Sequence, residues 1–295
     1  MRLVTFAPPG GGPRLGALAD GAIIDLATPL APIATSMIEL LRAGTAGLDL
    51  ARRAVAAGLA SRAPGLRHDP RAVTLLAPVP NPGKILGVGR NYGAHAAEGG
   101  LAAQENPRIF VKLSSAVIGT ATPIPKPAGV TKLDYETELA VVIGRRARFV
   151  RESEALDHVG GYTILNDVSA RELQFDVSPP QTSFAKSMDG FCPMGPCLAT
   201  PDEFADPGDI RLRGWVNGEK VQDGSTRDLI FPVPRLIAYL SSYLTLEPGD
   251  IIATGTPAGV GAFRTPPRYL APGDVVRMEI AEIGVLENRV IAATD

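Results

Sequence analysis

The sequence has only two cysteines, no long apolar run and no basic cluster, and each of these features argues against a class of protein. Cys192 and Cys197 have no histidine nearby, which argues against a zinc site and favours reduced thiols in a cytoplasmic protein. No apolar run approaches the roughly 18 residues of a membrane span, and the N-terminus lacks the long apolar core of a signal peptide. A net charge of −2 argues against nucleic acid as a partner.

The composition indicates a soluble globular protein with many turns and short strands. Of its 295 residues, 45% are hydrophobic and 20% are charged, and there are 32 glycines and 27 prolines. The sequence P-V-P-N-P-G at positions 78–83 is the clearest linker. It predicts a small N-terminal accessory domain with strands and helices, residues 1–77, and a main domain, residues 78–295.

The main domain contains a stretch, Leu133–Gly144, in which three carboxylates precede a predicted buried strand. The unbroken apolar run Leu139–Ile143 predicts that strand. Asp134, Glu136 and Glu138 stand at alternate positions, which share a face in an extended chain. They repel one another unless they are solvated, protonated or neutralised by a cation, and their oxygens suit Mg²⁺, Mn²⁺ or Ca²⁺. A solvated acidic strand end is the alternative interpretation.

A second predicted strand, Tyr162–Val168, carries another carboxylate, Asp167, near its end. An aspartate at such a position often caps a helix or forms a turn. Here it would add a third ligand to Glu136 and Glu138 and leave room for water and substrate around a cation. The two strands together therefore favour a divalent metal site over a solvated strand end.

Other polar groups occur in settings that allow either a functional or a purely structural role. His95 and Glu98 are spaced for one face of a short helical turn flanked by glycines, which is either a mobile functional turn or an exposed one with an incidental ion pair. The preceding G-V-G does not continue as a dinucleotide motif, because position 92 is tyrosine. Lys186 is either a surface charge or a positive group for an anionic substrate. The glycine-rich loop 254–261 either binds an oxyanion or is a plain turn.

Five segments in one order make the chain resemble the fumarylacetoacetate hydrolase family over about residues 84–292. They read G-R-N-Y-x-x-H-x-x-E (89–98), D-Y-E-T-E-L (134–139), N-D-V-S-A-R-E-L-Q (166–174), A-K-S-M-D-G-F-C-P-M-G-P (185–196) and T-G-T-P-A-G-V-G (254–261). Each segment alone has modest specificity, whereas all five in order are strongly specific. No key position departs from the family pattern, and the N-terminal residues resemble the accessory domain of many members.

The resemblance implies an α+β, mainly β fold, a mixed β-sheet roll or flattened pseudo-barrel with a small N-terminal α+β domain, assembled as a homodimer. It implies a Mg²⁺ or Mn²⁺ site on Glu136, Glu138 and Asp167. Asp134 has no implied ligand role and would orient the ligands. The resemblance also assigns a general-base pair on a mobile lid, an oxyanion-stabilising lysine and residues lining the substrate site: His95 and Glu98, Lys186, and Arg171, Gln174 and Thr256, respectively.

The function implied by this resemblance is hydrolysis of a carbon–carbon bond in an acylpyruvate or other 2,4-diketo acid, through a metal-stabilised enolate. His95 would activate water, and Lys186 would stabilise the oxyanion. Oxaloacetate decarboxylation, and hydration or isomerisation of unsaturated 2-oxo acids, share the enolate and are the alternatives within the family. A non-enzymatic carboxylate-binding or scaffold protein is a third interpretation, and the presence of every ligand and of the His–Glu pair argues against it.

Overall fold

The computed structural model describes residues 1–61, 63–100 and 104–293, which form a mainly β structure with short helices. The strands are β1 (Arg2–Ala7), β2 (Arg14–Ala19), β3 (Ala22–Asp25), β4 (Arg67–His68), β5 (Thr74–Leu75), β6 (Ile85–Gly89), β7 (Arg108–Lys112), β8 (Val117–Ile118), β9 (Ile124–Lys126), β10 (Leu133–Asp134), β11 (Thr137–Ile143), β12 (Val159–Asn166), β13 (Ser169–Ala170), β14 (Cys192–Ala199), β15 (Arg211–Val216), β16 (Glu219–Ser225), β17 (Ile251–Ala253), β18 (Val275–Ile280) and β19 (Gly284–Ala292). The helices are α1 (Ala27–Leu30), α2 (Met37–Arg42), α3 (Gly44–Ala60), α4 (Gly93–Glu98), α5 (Thr182–Ala185) and α6 (Val233–Tyr243).

The strands form one large mixed sheet and two smaller ones. The large sheet has the order β4-β3-β2-β1-β14-β12-β11-β17-β6-β7, with β5 beside β1 and β8 beside β14. A five-stranded sheet has the order β16-β15-β18-β19-β9, and β10 pairs with β13. Within the described residues the ends of the large sheet, β4 and β7, do not pair with each other, so the sheet stays open. The predicted mixed, mainly β fold is confirmed, without closure into a barrel.

Strand β11 lies inside the large sheet, between β12 and β17. Leu139, Val141 and Ile143 pack into one hydrophobic core, whereas Ala140 and Val142 pack into a second core. Successive side chains of a strand point to opposite faces, and here both faces are covered. This double burial explains why the run is unbroken rather than alternating.

The N-terminal residues extend the large sheet and cover part of it. Strand β1 pairs with β14 in antiparallel register, with Leu3 opposite Leu198. Leu3, Leu15 and Leu40 belong to the same hydrophobic core as Val142 of β11. The domain boundary between residues 77 and 78 stays a prediction, while the strand pairing links the two segments through one sheet.

The helices have caps that the local sequence explains. Ser36 caps α2, its hydroxyl accepting the N–H of Glu39, and the prolines at positions 232 and 234 stand at the start of α6. The segment Glu152–His158 is a 3₁₀ helix that includes Ser153 and follows Arg151. Among the described residues, no helix has both the length and the apolar character needed to cross a membrane.

Two glycines let the ends of β11 and β12 approach each other closely. A Cβ atom on Gly144 would lie 2.5 Å from the Cα atom of Gly160, closer than real side chains come. The N–H of Gly144 donates to the carbonyl of His158 at 2.8 Å, so the backbone cannot move away without losing a hydrogen bond. Glycine is therefore required at position 144 by a steric contact.

We expect Gly144→Ala to lower the free energy of unfolding by about 1–3 kcal/mol, the usual cost of overpacking a filled site. Gly129→Ala is the matched control, because a Cβ atom there meets nothing within 4 Å. That control should leave stability unchanged or raise it slightly. Urea unfolding followed by circular dichroism measures both, and equal stability of the two variants would argue against the close approach.

Candidate active site

Three buried carboxylates meet where β11 begins and β12 ends. One oxygen atom from each of Glu136, Glu138 and Asp167 lies within 4.8 Å of the others. Glu138 extends from β11, and Asp167 directly follows β12, the antiparallel neighbour of β11. The N–H of Asp167 donates to the carbonyl of Glu136 at 3.0 Å, which fixes the two strand ends against each other. The structure therefore brings the three predicted metal ligands into one cluster.

Buried cations neutralise part of this cluster. The Nζ atom of Lys186 donates to Asp167 at 2.5 Å and to Glu136 at 3.0 Å, and Lys112 donates to the other oxygen of Asp167 at 2.7 Å. Burial disfavours the ammonium of Lys186, but the nearby carboxylates outweigh that effect and raise its pKa. Burial also disfavours the charged form of Glu136, yet Lys186 and Arg171 hold its pKa well below the ordinary value. Both groups are therefore charged.

Asp134, the first of the three alternating carboxylates, lies outside the cluster. It accepts hydrogen bonds from Nε of Arg171 at 2.8 Å and from the backbone amides of Gly261 and Ala262 at 2.8 and 2.9 Å. The expectation that it shares a face with the other two carboxylates is wrong, because β10 ends at Asp134 and β11 begins only at Thr137. Its structural role is to hold Arg171.

Glu138 is the carboxylate of the cluster that forms no ion pair with a lysine or arginine among the described residues. Its Oε2 atom accepts the backbone N–H of Gly255 at 2.9 Å. Burial, followed by the charges of Asp167 and Glu136, raises the pKa of Glu138 well above its ordinary value. A buried acid in this position gains most from a bound cation.

The charges and donor atoms of the site fit a divalent metal ion. Counting Asp134, four buried carboxylates face three buried cations, Lys112, Arg171 and Lys186. A divalent ion held by the three clustered carboxylates would make the site positive by one charge, which suits an anionic substrate. Carboxylate oxygens are the ligands that Mg²⁺ and Mn²⁺ prefer.

The His–Glu pair lies on α4, at the same cleft. Nδ1 of His95 lies 2.8 Å from Oε1 of Glu98, and the N–H of Gly259 donates to the other oxygen of Glu98 at 3.0 Å. A carboxylate only accepts hydrogen bonds, so Nδ1 carries the ring proton and Nε2 is the nitrogen that can accept another. The pair thus has the geometry of a general base with an orienting acid.

In the glycine-rich loop 254–261, the backbone amides of Gly255, Gly259 and Gly261 already donate hydrogen bonds and are not free to bind an oxyanion. Its backbone N–H groups instead hold carboxylates of the protein itself. These contacts are Gly255 to Glu138, Gly259 to Glu98 and Gly261 to Asp134. The loop therefore acts as a scaffold that joins the carboxylate cluster, helix α4 and Asp134, the partner of Arg171.

One cleft contains most of the predicted site residues. Its lining includes His95, Glu136, Glu138, Arg171, Gln174, Lys186 and Thr256. The two other predicted residues, Glu98 and Asp167, lie behind the lining and contact His95 and Lys186. Gln174 accepts from Arg171 at 2.8 Å, and Thr256 accepts from Gln222 at 2.8 Å.

Three cationic side chains of the site were not among the predicted site residues. Lys112 is buried against Asp167, and Arg90 and Arg108 line the cleft. The sequence contained a signal that Lys112 is buried, because Lys112 follows Phe110 by two residues and shares its buried face on β7. Arg90 stands in the first family segment, 89–98, but was given no role, and no pattern marked Arg108; the two arginines are half-buried and exposed, respectively.

The mainly β fold, with a carboxylate cluster and a His–Glu pair at one cleft, defines a class of proteins able to hold a divalent cation beside a proton-transfer group. Residues 84–291 match the family model described as the C-terminal domain of fumarylacetoacetate hydrolase. The chain belongs to the fumarylacetoacetate hydrolase family, which is metal-dependent.

Its relatives are enzymes that act on small organic acids. Mitochondrial oxaloacetate tautomerases of Bos taurus and Homo sapiens are 43% and 42% identical over 295 residues, covering 99% of this chain and 92% of theirs. The structure of maleylpyruvate hydrolase from Sphingobium sp. with manganese(II) and pyruvate is 34% identical, with a TM-score of 0.81 and all of both chains covered. Fumarylacetoacetate hydrolase of Exiguobacterium antarcticum is 38% identical, with a TM-score of 0.84, covering 99% of this chain and 100% of its own.

We expect Glu138→Gln to weaken Mn²⁺ binding by more than about 10-fold, the lower end of the cost of losing even an outer partner of a metal site. The metal-free variant should at the same time unfold at about the same temperature as the wild type, because the raised pKa of Glu138 leaves its carboxyl group protonated and neutral without the metal. Glu105→Gln, on the surface, is the control for both measurements. Calorimetric titration and thermal unfolding measure the two effects, and unchanged Mn²⁺ affinity would remove Glu138 from the ligand set.

We also expect the segment 91–100 to exchange amide hydrogens faster than β6 in the metal-free protein. Gly93, Gly99 and Gly100 flank a single short helix, so local opening breaks few contacts. Mn²⁺ with oxalate, which mimics the chelating end of a 2-oxo acid, should slow this exchange. Equal protection in both states would contradict a mobile lid. The predicted lid reached residue 101, which lies outside the described residues.

Proposed function

We propose that the protein is a divalent-metal-dependent enzyme that interconverts the keto and enol forms of a small 2-oxo acid, with oxaloacetate as its substrate. The observation that carries this proposal is the position of the His95–Glu98 pair at the cleft that also contains the three-carboxylate cluster. Tautomerisation requires a cation site for the 2-oxo acid end and one group that carries a proton between carbon and oxygen. Both are supplied by this chain.

The metal would act as a Lewis acid that polarises the keto and carboxylate oxygens of the substrate. Nε2 of His95 takes a proton from C3 and returns it to the keto oxygen, so a C–H bond is broken and an O–H bond is formed. Glu98 holds Nδ1 and stabilises the imidazolium ring while the proton is on Nε2. The same steps in reverse convert the enol into the keto form.

Two observations favour tautomerisation over carbon–carbon cleavage. The relatives named oxaloacetate tautomerase match nearly the whole chain at 41–43% identity. The three N–H bonds of Lys186 are directed to Glu136, Asp167 and Ser169, the last at 2.8 Å. Hydrolysis needs a donor for the oxyanion that forms at the distal carbonyl. Tautomerisation needs no such donor.

Hydrolysis of an acylpyruvate is the second candidate function, supported by the likeness to the maleylpyruvate hydrolase of Sphingobium sp.. In that reaction His95 takes a proton from water, and the hydroxide attacks the distal carbonyl. Lys186 then has to release one of its present partners to donate to the oxyanion. The homodimeric assembly and the cytoplasmic location expected from the sequence remain predictions.

We expect His95→Ala to slow the enzyme-dependent tautomerisation of oxaloacetate by roughly 10²–10⁴-fold, the usual size of a general-base contribution. The rate can be followed by proton NMR as deuterium enters C3 in D₂O, after subtraction of the rate without protein. His158→Ala is the control, because His158 contacts the carbonyl of Arg145 on the surface and does not line the cleft.

A parallel assay with acetylpyruvate separates the two candidate functions. If the wild type hydrolyses acetylpyruvate with a higher kcat/KM than it shows for oxaloacetate, the hydrolase function replaces the tautomerase function. If His95→Ala retains the wild-type rate with oxaloacetate while Mn²⁺ affinity is unchanged, the proton carrier is another group.

A further inference from the structure

The cleft contains a second set of cationic side chains, which do not pair with the carboxylate cluster. Arg90 directly follows β6, and Arg108 begins β7, the antiparallel neighbour of β6. Gly89 pairs with Arg108 in this register, and the Cδ atom of Arg108 would lie 3.7 Å from a Cβ atom at position 89. The side chain of Arg108 therefore lies beside this glycine. Both arginines line the cleft together with His95.

These two arginines differ from the other cations of the cleft in their partners. Lys186 and Arg171 each bind buried carboxylates, whereas neither Arg90 nor Arg108 forms an ion pair with a described residue. Burial, and then the charge of Arg108, lower the pKa of Arg90, which places the two guanidinium groups within electrostatic range of each other. Two like charges without a counter-ion are a site for an anion.

The backbone holds Arg90 in place. Its φ angle is 60°, a left-handed conformation that is uncommon for residues other than glycine and that concentrates at functional sites. The next residue, Asn91, is fully buried and donates from Nδ2 to the carbonyls of Thr254 and Phe231 at 2.8 and 3.0 Å. Arg90 therefore stands between a sheet strand and a fixed asparagine.

We propose that Arg90 and Arg108 form a subsite for the distal carboxylate of a short dicarboxylic 2-oxo acid, whose 2-oxo acid end lies at the cluster of Glu136, Glu138 and Asp167. This proposal rests on the proposed function and names the residues that select its substrate class. A guanidinium binds a carboxylate through two parallel N–H bonds, and the paired arginines offer more than one such face. The two ends of the cleft thus fit a molecule with an anionic group at each end.

The test compares two unreactive ligands that differ only at the distal end, malate and 2-hydroxybutanoate, in which a methyl group replaces the distal carboxylate. Calorimetric titration uses the full-length protein loaded with Mn²⁺. The wild type should bind malate roughly 10–100-fold more tightly, the size expected for charge-assisted hydrogen bonds to one carboxylate. Arg90→Met and Arg108→Met should each reduce this preference, and the double variant should abolish it.

Arg108→Lys should keep part of the preference for malate, because lysine retains the positive charge but lacks the planar guanidinium group. Arg53→Met, on the exposed surface of α3, is the control and should keep all of it. A wild type without preference for malate would overturn the proposal, as would variants that lose affinity for both ligands equally. A clear preference for malate in a protein that does not tautomerise oxaloacetate would leave the subsite standing and refute the proposed function.

Discussion

The charge of Glu138 inside a buried ion-pair network is the constraint on which the site depends. Burying carboxylates costs free energy, and the salt bridges of Lys112, Lys186 and Arg171 offset this cost for the neighbouring acids. Glu138 receives one backbone N–H and faces two other carboxylates, so its charged form is stabilised chiefly by a cation. The surrounding ion pairs neutralise the other acids, and the cluster of Glu136, Glu138 and Asp167 therefore fits a divalent cation.

The rigid and movable parts of the site are built from different kinds of structure. The carboxylates stand on central strands whose two faces are both packed, and the loop 254–261 ties them to neighbouring segments through backbone amides. The proton-transfer pair instead lies on one short helix, attached through Glu98 to Gly259. If the short helix opens and closes as predicted, it would let substrate enter and then exclude water from a fixed carboxylate site.

The distribution of charge along the cleft supports the proposed function over carbon–carbon cleavage. The cation site and the His95–Glu98 pair suit any reaction that forms an enolate from a 2-oxo acid. The outcome then depends on which donors remain at the distal end. In this chain Lys186 is fully engaged by its neighbours, whereas Arg90 and Arg108 have no acidic partner among the described residues. That arrangement supports the proposed subsite for a second carboxylate.

The sequence by itself determined the features that depend on short spacing along the chain. The apolar run of β11, the positions of Glu136 and Glu138, the turn carrying His95 and the strand with Asp167 near its end are all local patterns. Side-chain direction repeats every two residues in strands and every three to four in helices. The family motifs added the roles of residues far apart in the chain. Together these predicted the mainly β fold and the residues of the candidate site.

Only the tertiary structure decided which distant groups share the site. Lys112 contacts Asp167 across 55 residues, and Gly255 donates to Glu138 across 117 residues. Asp134 turned away from its neighbours because a strand ends there, and the open order of the large sheet placed β6 and β7 at the cleft. Arg90 and Arg108 became a pair through that strand register. Such contacts follow from strand order and register, which the spacing of residues within one segment does not encode.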